Sequence, residues 1–150
     1  MKKTGQFLMA VILLTAVYDS ANAQVRKLPA VVTEAFKKKY PDATNVEWHD
    51  KLTLFLASFD MNNERYDARF NNKGVWQNTE SELETSELPA PIKDGYNKSK
   101  YAEWKINTIT RIDLPGEKIQ YRVQAGKSDL QKKNLLFSNT GQLLKDNITL

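Results

Sequence analysis

The stretch LPAVVTEAFKKKYPDATNVEW, residues 28–48, predicts a helix that leads into a strand, and it sets the expectation for the whole fold. Val32, Phe36 and Tyr40 recur at a spacing of four, so they line one face of a helix. Pro41 disfavours helical geometry in the residue before it, so the helix should end at or before Tyr40. The strand that follows should begin near the Glu-Trp pair that closes the stretch.

A fainter version of these landmarks follows at residues 88–104, LPAPIKDGYNKSKYAEW. Both stretches begin with Leu-Pro-Ala, reach an aromatic residue at the same offset and end in Glu-Trp. Farther along, ARFNNKGVW (68–76) resembles LLFSNTGQL (135–143), each with a Phe before a polar turn that ends in Gly. The shared order predicts a duplicated unit, with repeats at about 28–80 and 88–146.

Antiparallel strands are predicted after each helix. Apolar and polar side chains alternate along residues 64–70 and again along 119–125, which is typical of strands with one buried face. We therefore expect an α+β fold of two tandem helix-plus-antiparallel-sheet repeats, with the helices packed on one face of the sheet and the other face wet. Trp48 and Trp104 should lie in the core beneath the helices. The acidic residues 80–87 are expected to form a linker between the repeats.

The N-terminal residues predict export. Lys2 and Lys3 give a basic start, residues 7–17 form an apolar run, and Ala-Asn-Ala closes at Ala23. This layout predicts a signal peptide at 1–23 and a single mature domain at 24–150. An 11-residue apolar run is too short to span a bilayer, which takes about 20 residues. A periplasmic or secreted protein is expected, with no stable membrane insertion after cleavage.

Composition argues against several classes of chemistry. The chain has no cysteine, which excludes disulfides, a thiol nucleophile and thiolate metal sites. Its one histidine, His49, cannot build a three-histidine zinc site, and the neighbouring Asp50 should face the other side of the strand. The mild basic excess does not indicate a nucleic-acid partner. We expect no catalytic residue, no metal site and no cofactor.

Several motifs resemble those of the PepSY-like proteins exported by Bacteroidetes bacteria. They are AFKKKYPDATNVEW (35–48) and YDARFNNKGVW (66–76), with the fainter YAEWKIN (101–107) and LLFSNTGQLLKD (135–146). The resemblance covers nearly the whole mature chain. It implies a fold similar to that of the beta-lactamase inhibitor protein, and it suggests protein binding by the open face of the sheet. It marks no residue as catalytic.

The best candidates for binding are polar strand residues that should point away from the helices. They are Arg65, Arg69, Gln120 and Arg122. Trp76 joins them because it directly follows the apolar Val75, so the two side chains should face opposite sides of the strand. Arginine and aromatic residues are enriched at the centres of interfaces. The sequence therefore favours an exported, non-enzymatic module that binds a protein or peptide.

Two alternatives stay open at this point. One is a small enzyme that acts on envelope glycans, using a carboxylate pair drawn from Glu47, Asp50, Asp67 and Glu103. The other is a carrier that holds a small apolar ligand between helix and sheet.

Overall fold

A computed structural model describes the backbone of residues 27–148, so the predicted signal peptide at 1–23 lies outside the described residues. Within these residues two short α-helices occur, α1 (Ala30–Lys39) and α2 (Ala90–Asn97), with a 3-10 turn at Thr85–Glu87. Helix α1 ends one residue before Tyr40, as Pro41 predicts. Neither helix has the length and hydropathy of a membrane span.

Eight strands form one antiparallel sheet in which each strand pairs with the next along the chain. Tight turns join most of them. Asn62 and Asn63, both with positive φ, turn the chain between the second and third strands. The strands are β1 (Thr44–Asp50), β2 (Leu54–Met61), β3 (Glu64–Asn71), β4 (Trp76–Leu83), β5 (Lys105–Leu114), β6 (Lys118–Ser128), β7 (Gln131–Ser138) and β8 (Leu143–Ile148).

The predicted α+β architecture of two tandem helix-plus-sheet repeats is wrong. Strand β4 continues to Leu83, into the segment expected to be a linker, and pairs with β5 from Thr79 opposite Asp113 to Leu83 opposite Ile109. This pairing satisfies backbone groups that two separate sheets would leave unpaired at their edges. The result is a single continuous sheet with two short helices. The sequence landmarks give the order of the elements but carry no information about this central pairing.

Both helices pack on the same face of the sheet, over two apolar clusters. The N-terminal cluster lies under α1, with half-buried Trp48 packed against it, and the C-terminal cluster lies under α2, with half-buried Trp104 packed against it. The N-terminal cluster consists of Val32, Phe36, Phe55, Ala57, Phe59, Ala68 and Phe70. The C-terminal cluster consists of Ile92, Tyr96, Tyr101, Tyr121, Val123, Ala125, Leu135 and Phe137.

Helix α2 approaches the sheet so closely that only glycine fits at the contact. A Cβ added to Gly95 would lie 1.9 Å from the carbonyl oxygen of Gly141, in the turn between β7 and β8. Gly141 has a φ of +85°, and a Cβ there would lie 2.0 Å from the carbonyl oxygen of Pro91. Gly in a helix interior costs about 1 kcal/mol relative to Ala. The close packing of α2 explains why Gly95 is nevertheless present.

Candidate binding face

The sheet face opposite the helices, called the open face below, carries four of the five predicted binding residues. Arg65 and Arg69 lie on β3, between core residues that point toward α1. Gln120 and Arg122 lie on β6, where the intervening residues point into the C-terminal cluster. Because successive strand side chains alternate, all four project away from the helices.

A cluster of three charged residues occupies the centre of this face and is called the Glu80 cluster below. Arg69 Nη1 lies 2.8 Å from Glu80 Oε1, and Arg122 Nη2 lies 2.5 Å from Glu80 Oε2. Arg69 also donates a hydrogen bond of 2.9 Å to Asn78 Oδ1. One carboxylate therefore links β4 to guanidinium groups on β3 and β6, and the ion pair with Arg122 reaches across β5.

The Glu80 cluster is shielded from water even though both described α-helices pack on the opposite face. The Glu80 side chain is 14% exposed, and the side chains of Arg69 and Arg122 are 26% and 35% exposed. Ile112, directly beside Glu80 in the register, is 7% exposed. Limited water access strengthens charge-assisted hydrogen bonds. The two guanidinium groups are thus held in fixed orientations.

Arg65 belongs to a separate and more exposed group of charged side chains near the N-terminal end of β3. Its guanidinium lies 3.1 Å from Asp60 and 3.4 Å from Glu47. Hydrogen bonds from Asn45 and Arg65 lower the pKa of Asp60 below its ordinary value. Such exposed pairs contribute little to stability. Arg65 therefore adds charge at the margin of the face rather than at its centre.

A row of polar residues also crosses the open face from β2 to β6. Ser58 donates a hydrogen bond of 2.5 Å to Asp67 Oδ1, and Asp67 lies directly opposite Glu80. Gln120 lies opposite Ile112 and is half-buried. Half-buried leucines, Leu56 on β2 and Leu136 on β7, face the same side. The face thus mixes ordered charges with aliphatic surface.

Trp76, the fifth predicted binding residue, lies on the helix-bearing face, so its predicted placement is wrong. A register irregularity between Arg69 and Phe70 sets Trp76 opposite Phe70, a core residue. The indole Nε1 donates a hydrogen bond of 2.9 Å to Thr79 Oγ1, and Lys39 Nζ lies 3.7 Å from the ring centroid. The bulge changes the direction that simple alternation predicts.

Three of the four candidate carboxylates make contacts of a structural kind. Glu47 pairs with Arg65, Asp67 accepts a hydrogen bond from Ser58, and Asp50 accepts one from the backbone N–H of Leu52. Within residues 27–148, no group of three or more Asp, Glu, His or Cys side chains is arranged to hold a metal ion.

Glu80 is the central residue that sequence reasoning missed. The four glutamates of residues 80–87 favour a solvated linker when the sequence is considered alone. The alternation Thr79, Glu80, Ser81, Glu82, Leu83 could have revealed a strand, since every second residue faces the same side.

The chain matches one known family and several solved structures. Residues 57–145 match the family described as "Putative beta-lactamase-inhibitor-like, PepSY-like". A DUF2874 family protein from Bacteroides ovatus is 27% identical with a TM-score of 0.76, and the match covers 81% of this chain and 88% of that one. A BLIP-like protein from Bacteroides fragilis is 25% identical with a TM-score of 0.75, and the match covers 82% and 87%.

A third structure comes from Bacteroides eggerthii and is named among "putative periplasmic proteins". It shares the fold, with 23% identity and a TM-score of 0.73, and the match covers 81% of this chain and 89% of that one. None of the curated proteins matches the chain. The family match spans more than half of the 150 residues. The chain therefore belongs to the beta-lactamase-inhibitor-like, PepSY-like family.

Proposed function

We propose that this protein is an exported, non-enzymatic module that binds a protein or peptide through the open face, with Arg69 and Arg122 as anchors and Arg65 and Gln120 at the margin. The N-terminal sequence supports export, as does the likeness to a structure named periplasmic. The family description supports an inhibitor-like binding role.

The single observation that carries this proposal is the partly buried Glu80 cluster on a sheet face that neither described α-helix covers. Long arginine side chains normally lose conformational freedom when they bind, which costs about 0.5–1.5 kcal/mol each. Here Arg69 and Arg122 are already ordered by Glu80 at 2.8 and 2.5 Å. Their guanidinium groups have five N–H donors each. Such preorganised donors suit backbone carbonyls and carboxylates of a partner.

The composition of the open face also suits protein recognition. Arginine is enriched at interfaces, and interface cores combine such anchors with aliphatic surface. Half-buried Leu56 and Leu136 supply that surface beside the Glu80 cluster. The charges are largely compensated within the face, so binding would depend on the local geometry of the charges more than on net attraction.

The proposal is tested by using the protein to capture binding partners from the envelope of the native host. Each captured protein is then purified and mixed with this protein to measure binding directly. Isothermal titration should then show that the double variant Arg69→Ala/Arg122→Ala binds the partner at least about a hundredfold more weakly, since interface hot spots contribute about 2 kcal/mol or more each.

The matched control is Lys37→Ala/Lys93→Ala, which removes the same two positive charges from exposed positions on α1 and α2. This variant should bind like the wild type. A folded Arg69→Ala/Arg122→Ala protein that binds with unchanged affinity would refute the proposal.

A further inference from the structure

A groove on the helix-bearing face separates the two apolar clusters and lies beside the C-terminal end of α1. Its two adjoining hollows have a volume of about 470 Å³ each and share Lys39, Trp76, Arg111 and Asp113. We call it the central groove. It is independent of the open face, because it lies on the other side of the sheet.

The floor of the central groove is polar where the rest of this face is apolar. Strands β4 and β5 place Thr79, Ser81, Arg111 and Asp113 at helix-side positions. Thr79 and Ser81 are only 4% and 7% exposed. Burying a polar group without a partner is costly, so polar residues at such positions need hydrogen-bonding partners.

Thr79 holds the aromatic walls of the groove in place. Its hydroxyl accepts the Trp76 Nε1–H at 2.9 Å and is hydrogen-bonded to the Tyr40 hydroxyl. Tyr66, on the same side, donates a hydrogen bond of 2.6 Å to Glu64, which raises the pKa of Tyr66 to about 12. Burial likewise raises the pKa of Tyr40. Both phenols are therefore neutral at physiological pH.

The charges that line the main hollow compensate one another. Its lining contains two cations and two anions. Arg111 Nη2 lies 2.9 Å from Asp113 Oδ1, and Lys39 Nζ lies over the Trp76 ring at 3.7 Å. A strongly charged ligand would meet a like charge beside each opposite one. Adjacent donors and acceptors instead match hydroxyl groups, each of which both donates and accepts.

We propose that the central groove binds a neutral saccharide of one or two rings. Trp76, Tyr40 and Tyr66 combine an apolar ring surface with a polar edge, which suits the C–H faces of a sugar, while Ser81, Arg111 and Asp113 meet its hydroxyl groups. The volume of the groove lies in the range of about 300–1,000 Å³ found for small-molecule sites.

Fluorescence of Trp76 provides a direct test. Trp48→Phe and Trp104→Phe leave Trp76 as the only tryptophan of the three in the chain. The probes are glucose, N-acetylglucosamine, maltose and cellobiose, with glucuronate and glucosamine as charged analogues. At least one neutral sugar should give a saturable change with a Kd of about 1 mM or tighter, and the charged analogues should bind about tenfold more weakly or worse. Calorimetry with the wild-type protein should give the same Kd.

Matched variants separate the groove from the rest of the sheet. Ser81→Ala and Asp113→Asn should each weaken sugar binding by about tenfold or more. Glu82→Gln, on the same strand as Ser81 but on the opposite face, should leave it unchanged, as should Arg69→Ala/Arg122→Ala. The proposal is overturned if none of the four neutral sugars binds, if a charged analogue binds more tightly than its neutral counterpart, or if the folded Ser81 and Asp113 variants bind like the wild type.

Discussion

The helix-bearing face and the open face of this sheet differ in what removes their side chains from water. On the helix-bearing face, Phe55, Phe59 and Phe70 are at most 2% exposed because they pack under α1 with other hydrocarbon groups. On the open face, Glu80 is 14% exposed because two arginine side chains lie against it. The first arrangement depends on close packing. The second depends on ion pairs whose charged groups can also pair with groups of a binding partner.

This difference separates the residues that hold the fold together from those available to a partner. A close-packed apolar cluster responds to the loss of a few carbon atoms with a large loss of stability. Partly exposed ion pairs contribute less to folding, yet their ordered donors can be used in recognition. Substitutions on the two faces should therefore have different consequences.

The largest expected effect belongs to Phe36→Ala, at the centre of the N-terminal cluster. The Phe36 ring contacts those of Trp48 and Phe59 at centroid distances of 5.3 and 5.1 Å. Its loss should lower the free energy of unfolding by about 3–5 kcal/mol, because it removes buried area and leaves a cavity. Chemical denaturation measures this, and Leu130→Ala, at a residue that is 96% exposed, should change stability by less than about 0.5 kcal/mol. Equal effects at both positions would contradict the assigned core.

Gly95→Ala tests whether helix propensity or close backbone packing decides stability on the helix-bearing face. Helix propensity alone predicts that alanine stabilises α2 by about 1 kcal/mol. The contact with Gly141, at 1.9 Å from the added Cβ, predicts a loss of about 2–3 kcal/mol instead, because backbone atoms must move. The sign of the change in unfolding free energy decides between the two. In the control Gly116→Ala, the Cβ meets no atom within 4 Å, and only the positive φ should cost about 1–2 kcal/mol.

Glu80→Gln should produce a smaller loss of stability on the open face. The amide keeps the shape of the side chain but removes the charge that pairs with Arg69 and Arg122. We expect a loss of about 1.5–2 kcal/mol in the free energy of unfolding, at the lower end of the range for hydrogen bonds to charged groups. Denaturation at high salt should reduce the difference from the wild type. A loss as large as that of Phe36→Ala would mean that the open face is as important for folding as the apolar core.

The smallest effect should come from Asp146→Asn and should depend on pH. Hydrogen bonds from the Tyr101 hydroxyl and Lys100 lower the pKa of Asp146. A carboxyl whose pKa is lower in the folded state stabilises the protein above its unfolded value, about 3.9, and this stabilisation is lost as the pH falls through the folded value. Thermal melts should therefore show the wild type above the variant at neutral pH, with the gap closing below about pH 4. A gap that widens in acid would contradict this assignment.

Local structure was accessible from the sequence because it depends on neighbouring residues. Pro41 predicts the end of α1, and the alternation of apolar and polar side chains in residues 64–70 predicts which residues of β3 lie on each face of the sheet. The same alternation placed Arg65, Arg69, Gln120 and Arg122 on the open face. The direction of Trp76 was missed because a bulge between paired strands changed the register, and a bulge depends on the partner strand.

Long-range features could not be obtained in the same way. The pairing of β4 with β5 joins Thr79 to Asp113 across the centre of the molecule, and no local pattern specifies it. The Glu80 cluster depends on that pairing, because it brings β6 within reach of β4. The central groove likewise exists only once β4 and β5 lie side by side between the apolar clusters.

Site-specific photo-crosslinking in the native host tests the role of the open face most directly. A photoreactive residue at Gln120 samples the open face, and one at Lys93 samples the exposed side of α2. We predict a discrete crosslinked protein from position 120 that is absent from position 93 and is lost when Arg69 and Arg122 are replaced by alanine in the folded protein. A crosslink from position 93 alone, or one from position 120 that survives the loss of both arginines, would contradict binding through the open face.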